Sequence, residues 1–106
     1  KIEIQKNLKY IVKTKKVIIW GASKYASEIA AKIKSDNMLG FVDINPQMQG
    51  KKIIEKPVYS VDELVLVKPD AIIAISKNYY HFDKLIQNDL RERNIDIPVI
   101  NYSTYS

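Results

Sequence analysis

Four short apolar runs punctuate the chain: Val17–Trp20, Leu39–Val42, Ala71–Ile75 and Ile97–Ile100. Continuous rather than alternating apolar character predicts strands covered on both faces. Between the first two, Ala26, Ile29, Ala30 and Ile33 recur at helical spacing, and the pattern predicts a helix running to Ser35, capped by Ser23 and stopped at Asp36-Asn37. A second helix is expected from Tyr79 to Arg93, with Phe82, Leu85, Ile86 and Leu90 on its inner face and Asn78 as its cap. Ile53-Ile54 and Pro57-Val58-Tyr59 read as short strands, and both Pro57 and Pro98 point to edge or strand-start positions. Ser60-Val61-Asp62-Glu63 is a capping box that opens a short helix to Val67, stopped before Pro69. Gly50 reads as a residue at positive φ in the turn-rich loop after Asp43.

Strands that alternate with helices predict an α/β sandwich of three layers, with a mostly parallel sheet of about five strands. In the usual Rossmann-like half, the strand at 17–20 neighbours that at 71–75, and the strand order reverses between them. Residues 1–16 carry Ile4, Leu8, Ile11 and Val12 at helical spacing, so a leading helix or linker is expected there, before a domain over 17–106. A chain that opens on Lys1 reads as a fragment, a processed chain or a trimmed one.

Composition narrows the chemistry. Cysteine is absent and histidine occurs once, which removes disulfides and thiolate sites and makes a metal centre an unfavoured reading. The apolar runs are too short to span a membrane and no signal peptide is visible, so a cytoplasmic location is expected. The net charge of +5 comes from 17 basic and 12 acidic residues, scattered rather than interleaved with aromatics. Nucleic acid is therefore not the expected partner.

The candidate site follows from the first strand. Gly21-Ala22-Ser23-Lys24-Tyr25-Ala26 stands where a dinucleotide fingerprint would read G-x-G-x-x-G/A: the first glycine is kept, the second is Ser, the third is Ala. A glycine here permits the sharp strand-to-helix turn that leaves amide groups facing an anion. Asp43, 22 residues after Gly21, stands where such units carry an acid for a ribose hydroxyl; it also suits the start of an Asp-x-Asn-Pro turn. At the second rim, Ser76 and Asn78 could donate to a ligand, and Tyr79 and Tyr80 could stack on a base or sugar face. No arrangement of catalytic residues stands out: His81 has no partner visible in the sequence, and Trp20 reads as core.

The ordered succession Val17-Ile18-Ile19-Trp20-Gly21-Ala22-Ser23, Gly40-Phe41-Val42-Asp43-Ile44-Asn45-Pro46, Gly50-Lys51-Lys52-Ile53, Pro57–Leu64 and Asp70–Ser76 resembles the small Rossmann-like domains of bacterial glycan-biosynthesis proteins. It is similar to the N-terminal domain of sugar-nucleotide acetyltransferases and to epimerase/dehydratase-related domains acting on nucleoside-diphosphate sugars. The resemblance implies a sugar-nucleotide cradle in which Gly21, Ser23, Asp43 and the Ser76–Asn78 turn contact the nucleotide. It implies no acetyl transfer here, because no hexapeptide-repeat β-helix follows Ser106, and Ser23-Lys24-Tyr25 departs from the family's glycine-rich segment.

Three functions compete. The first is a nucleotide- or sugar-nucleotide-binding accessory domain of a surface-polysaccharide enzyme, not catalytic alone, whose parent would be a sugar-modifying transferase or an epimerase/dehydratase. The second is a fragment of an NAD-dependent dehydrogenase or epimerase. The third is a ligand-free oligomerisation module. The ligand stays open between NAD(H) and a nucleotide sugar, and a homo-oligomer or an adjoining catalytic domain would be the protein partner.

Overall fold

The computed structural model describes residues 2–75 and 82–102. The elements are α1 (Ile2–Ile11), β1 (Val17–Trp20), α2 (Lys24–Ala30), β2 (Met38–Val42), β3 (Lys52–Ile53), β4 (Lys56–Tyr59), α3 (Leu64–Val67), β5 (Ala71–Ala74), α4 (Phe82–Glu92) and β6 (Val99–Asn101). One sheet of six strands runs in the order β3-β4-β2-β1-β5-β6. All pairings are parallel except that of the short β3 with β4. The sheet is thus Rossmann-like, with β1 between β2 and β5, as the apolar runs predict. The short strand read at Ile53-Ile54 is present as β3, antiparallel to β4, and brings the sheet to six strands against the expected five or so.

β1 is buried along its whole length, and its side chains alternate between two cores. Val17 and Ile19 pack with Leu8, Val12, Ala26 and Ile29 from the α1–α2 side. Ile18 and Trp20 pack with Leu64, Ile86 and Leu90 from the α3–α4 side. β5 divides likewise, Ala71 and Ile73 facing the first core and Ile72 and Ala74 the second. A strand pointing apolar groups both ways must be covered twice, which is why the layers number three. No polar or charged side chain is buried among the described residues.

The β1–β2 register carries an irregularity that the sequence pattern did not disclose. Val17 pairs with Met38 but Ile18 pairs with Gly40, so β2 holds one extra residue. Strict alternation from Met38 would turn Phe41 towards the second core; the bulge returns it to the first, opposite Ile19. Gly40 sits at the bulge with φ of +152°, and a Cβ there would overlap the Pro57 carbonyl oxygen of the neighbouring strand. Both backbone shape and contact distance therefore demand glycine.

Several expected boundaries shift. α2 ends at Ala30 rather than Ser35, and Ile33 stays buried through a tighter turn, with its amide on the Ala30 carbonyl at 2.9 Å. The first half of the capping box is formed, Glu63 accepting from the Ser60 amide at 2.8 Å, but α3 begins only at Leu64, so Ser60 is not its cap. Ile54 leaves β3 for a turn with φ of 48°. The last strand is displaced to Val99–Asn101, at the sheet edge where Pro98 is harmless. Leu85, expected on the inner face of α4, is 50% exposed: the buried ridge runs through Ile86 and Leu90. Gly50 does adopt positive φ, at 84°.

Gly40→Ala should destabilise the fold by about 2–4 kcal/mol, the sum of backbone strain and displaced β4 backbone. Urea denaturation of the two proteins checks it; a loss below about 0.5 kcal/mol would show that the bulge relaxes at little cost.

Candidate functional site at the carboxyl rim of the sheet

The parallel register aligns three strand ends. Trp20, the last residue of β1, pairs with Val42 at the end of β2 and with Ala74 at the end of β5. The segments that follow, from Gly21, from Asp43 and from Ile75, therefore leave the sheet at one rim. That rim straddles the point where the strand order reverses, the place where open parallel sheets leave a crevice.

The turn from β1 to α2 is fixed by backbone bonds and two side chains. The Gly21 amide donates to the Val42 carbonyl at 2.6 Å, prolonging the ladder by one step. Gly21 then takes φ of +93°, with open space where a Cβ would lie, so its need for glycine is conformational and not steric. Ser23 caps α2, its Oγ accepting from the Ala26 amide at 3.1 Å. Ala26 is 1% exposed and packs in the first core, where a larger side chain would push the helix off the sheet.

Asp43 ties the two loops together. Its Oδ2 accepts from the Ala22 amide at 3.0 Å and its Oδ1 from the Asn45 amide at 2.9 Å. The second bond is the Asp-x-Asn-Pro turn; the first crosses to the neighbouring strand end. The Asn45 side chain continues the turn by accepting from the Gln47 amide at 3.0 Å, and Gln49 donates to the Asp43 carbonyl at 2.9 Å.

Of the residues singled out from the sequence, Gly21, Ala22, Ser23, Lys24, Tyr25 and Asp43 come together at this rim. Ser23 and Lys24 are exposed, while Gly21, Ala22 and Asp43 are half-buried. Tyr25 is half-buried against the first core, turned towards the α1–α2 layer. Ser76, Asn78, Tyr79 and Tyr80 lie outside the described residues, as does His81. Trp20 is 7% exposed and belongs to the second core.

Tyr102 is a rim residue that sequence reasoning missed. Its amide donates to the Ala74 carbonyl at 2.8 Å, so it extends β6 beside the end of β5. Burial raises its phenol above the usual pKa. The only signal in the sequence was an aromatic just past the last apolar run. Among the described residues no cluster of acidic or histidine side chains could hold a metal ion, and no helix is long and apolar enough to cross a membrane.

Two substitutions measure how the rim is held. Asp43→Ala removes an acceptor from two amides and should cost about 1–3 kcal/mol, whereas Ser23→Ala should cost about 1 kcal/mol. Urea midpoints would check both, and a larger loss for Ser23→Ala than for Asp43→Ala would contradict the Asp43 tie.

Comparison with known proteins agrees with the architecture. UDP-D-quinovosamine 4-dehydrogenase from Vibrio fischeri is similar over 81% of this chain and 77% of that one, with a TM-score of 0.58 and 15% identity. RSP in complex with β-NAD+ and operator DNA is similar over 98% of this chain, with a TM-score of 0.60 and 23% identity. RSP described as a Rex-family repressor is similar over 96%, with a TM-score of 0.59 and 22% identity. The chain spans 58–60% of the length of these two RSP chains. At such identities the likeness establishes a Rossmann-like fold. No curated protein matches the chain. Residues 13–100 match the family described as C2185-like, N-terminal, and the chain belongs to that family.

Proposed function

We propose that the chain is a nucleotide-binding domain whose ligand lies across the carboxyl rim of β1 and β2, and that it serves a glycan-biosynthesis enzyme as a sugar-nucleotide cradle. The observation that carries the reading is the 3.0 Å bond from the Ala22 amide to Asp43, which joins the glycine turn and the acidic strand end into one surface. A carboxylate oxygen accepts from more than one direction. Asp43 can therefore hold the loop and still receive a ribose hydroxyl. Lys24, exposed at the first position of α2, supplies a positive charge beside the turn. The glycan assignment rests on the ordered motif succession from Val17 to Ser76, and a cytoplasmic setting goes with it. In this reading Gly21, Ala22, Ser23, Lys24 and Asp43 contact the nucleotide, Tyr25 supports the turn, and Ser76, Asn78 and Tyr79 close the other side.

A dinucleotide is the second reading. Gly21 at positive φ and buried Ala26 keep the first and third positions of the fingerprint. Solved structures similar in fold include RSP with β-NAD+ and with β-NADH. The serine at the second position opposes close backbone approach of a pyrophosphate, whether that of a dinucleotide or that of a nucleotide sugar.

Thermal shift separates these readings. A ligand at ten times its Kd should raise Tm by roughly 5–10 °C in a domain of this size. UDP-, GDP- or CDP-sugars should give the shift, and Lys24→Glu should reduce it without lowering the Tm of the free protein. A shift with NAD(H) alone would favour the second reading. No shift with any of them at millimolar concentration would overturn both.

A further inference from the structure

Asp43 stands one residue past the end of β2. Its amide donates to the Tyr59 carbonyl at 3.0 Å, the last step of the parallel β2–β4 ladder. One further step of that ladder would bring the Val61 amide to the Asp43 carbonyl. The chain does not take it: β4 stops at Tyr59, the Ser60 amide turns to Glu63 at 2.8 Å, and Val61 is buried in the second core. The Gln49 side chain stands in for the missing donor. Its Nε2 donates to the Asp43 carbonyl at 2.9 Å.

Gln49 is itself anchored to β4 through its neighbours. The Gly50 amide donates to the Val58 carbonyl at 2.9 Å, and the Val58 amide donates to the Lys51 carbonyl at 2.9 Å. Gly50 takes φ of 84°, which turns the chain so that half-buried Gln49 reaches the end of β2 while Gly50 stays bonded to β4. The carboxylate depends on this bond through the peptide that follows it. Turning the 43–44 peptide plane moves the Asn45 amide relative to the Asp43 side chain. With the carbonyl held, the Asn45 amide stays on Oδ1 at 2.9 Å and Oδ2 is left to the Ala22 amide at 3.0 Å. With the carbonyl released, a half-buried acceptor loses its partner and the plane turns to find water. Asn45 then moves with it, and the carboxylate is no longer aimed at Ala22.

We propose that Gln49 is the positioning residue of the rim: it replaces the ladder donor that β4 fails to supply, and so aims the Asp43 carboxylate at Ala22 and at a ligand hydroxyl. Its effect on a ligand rests on the nucleotide reading, whereas its effect on Ala22 does not.

The test reads two amides and an affinity. In amide NMR spectra of the full chain, Q49A and Q49E should move the Ala22 amide proton upfield, as D43A does, while the Gly21 amide, held by Val42, keeps its position. Q49E retains the length of the side chain but offers no donor at neutral pH, so it isolates the bond from the bulk. N45A, which removes the acceptor of the Gln47 amide in the same loop, should leave Ala22 where it is. With UDP-glucose or NAD+ as the probe, Q49A should raise Kd about fivefold. In a D43N background the same change should raise it less than about twofold, with circular dichroism unchanged throughout. The proposal is overturned if the Ala22 amide stays in place in Q49E, or if N45A moves it as far as Q49A. It is equally overturned if Q49A weakens binding as much with D43N as with Asp43. If the wild-type chain binds neither probe, the nucleotide reading fails, and the Ala22 amide alone decides the role of Gln49.

Discussion

The parallel pairing of β1 with both β2 and β5 is the constraint on which the rest of the molecule depends. Because Trp20 meets Val42 on one side and Ala74 on the other, three loops are delivered to one rim. Parallel neighbours also require crossovers, and right-handed crossovers carry helices to both faces of the sheet. The two cores, the three layers and the shared rim are consequences of one buried strand of four residues. The same geometry sends the helix ends of α1 and α2 to the amino side, where Lys9, Lys13, Lys32 and Lys34 stand exposed. The two ends of the sheet thus differ in chemistry because they differ in what the chain does there: it enters helices at one and leaves them at the other.

Register within that sheet depends on a single glycine. Parallel strands have no tight hairpin to set their alignment, so side-chain packing must do it. Phe41, fully buried opposite Ile19, reaches the first core only because Gly40 absorbs an extra residue against the Pro57 carbonyl. This restraint sits two strands' width from β5 yet fixes where Asp43 emerges. A slip of one residue in β2 would turn the Asp43 carboxylate to the other face and break its bond to Ala22.

Much of this was legible in the residues. The unbroken apolar runs at Val17–Trp20 and Ala71–Ile75 announced strands buried twice over, and Ser23 announced its own helix. What could not be read depends on partners distant in sequence. Gly40 looks like any strand glycine until β4 lies beside it. Leu85 fits an apolar stripe with Phe82 and Ile86, yet only the sheet decides which flank of that stripe is covered. Ile33 continues the helical period of Ala26, Ile29 and Ala30, but a tight turn buries it as well as a helix would. Asp43 offered two readings, turn former or ligand holder; the turn is present, and the cross-strand bond to Ala22 was visible in neither.

That cross-strand bond also bears on what kind of ligand suits the rim. In an open nucleotide site the first amides after the glycine face a pyrophosphate. Here the Gly21 amide is taken by Val42, the Ala22 amide by Asp43 and the Ala26 amide by Ser23. In the proposed site those three amides are not offered to a phosphate. In that reading the hydroxyl groups that meet Asp43 carry a share of the affinity, for a nucleotide sugar and a dinucleotide alike.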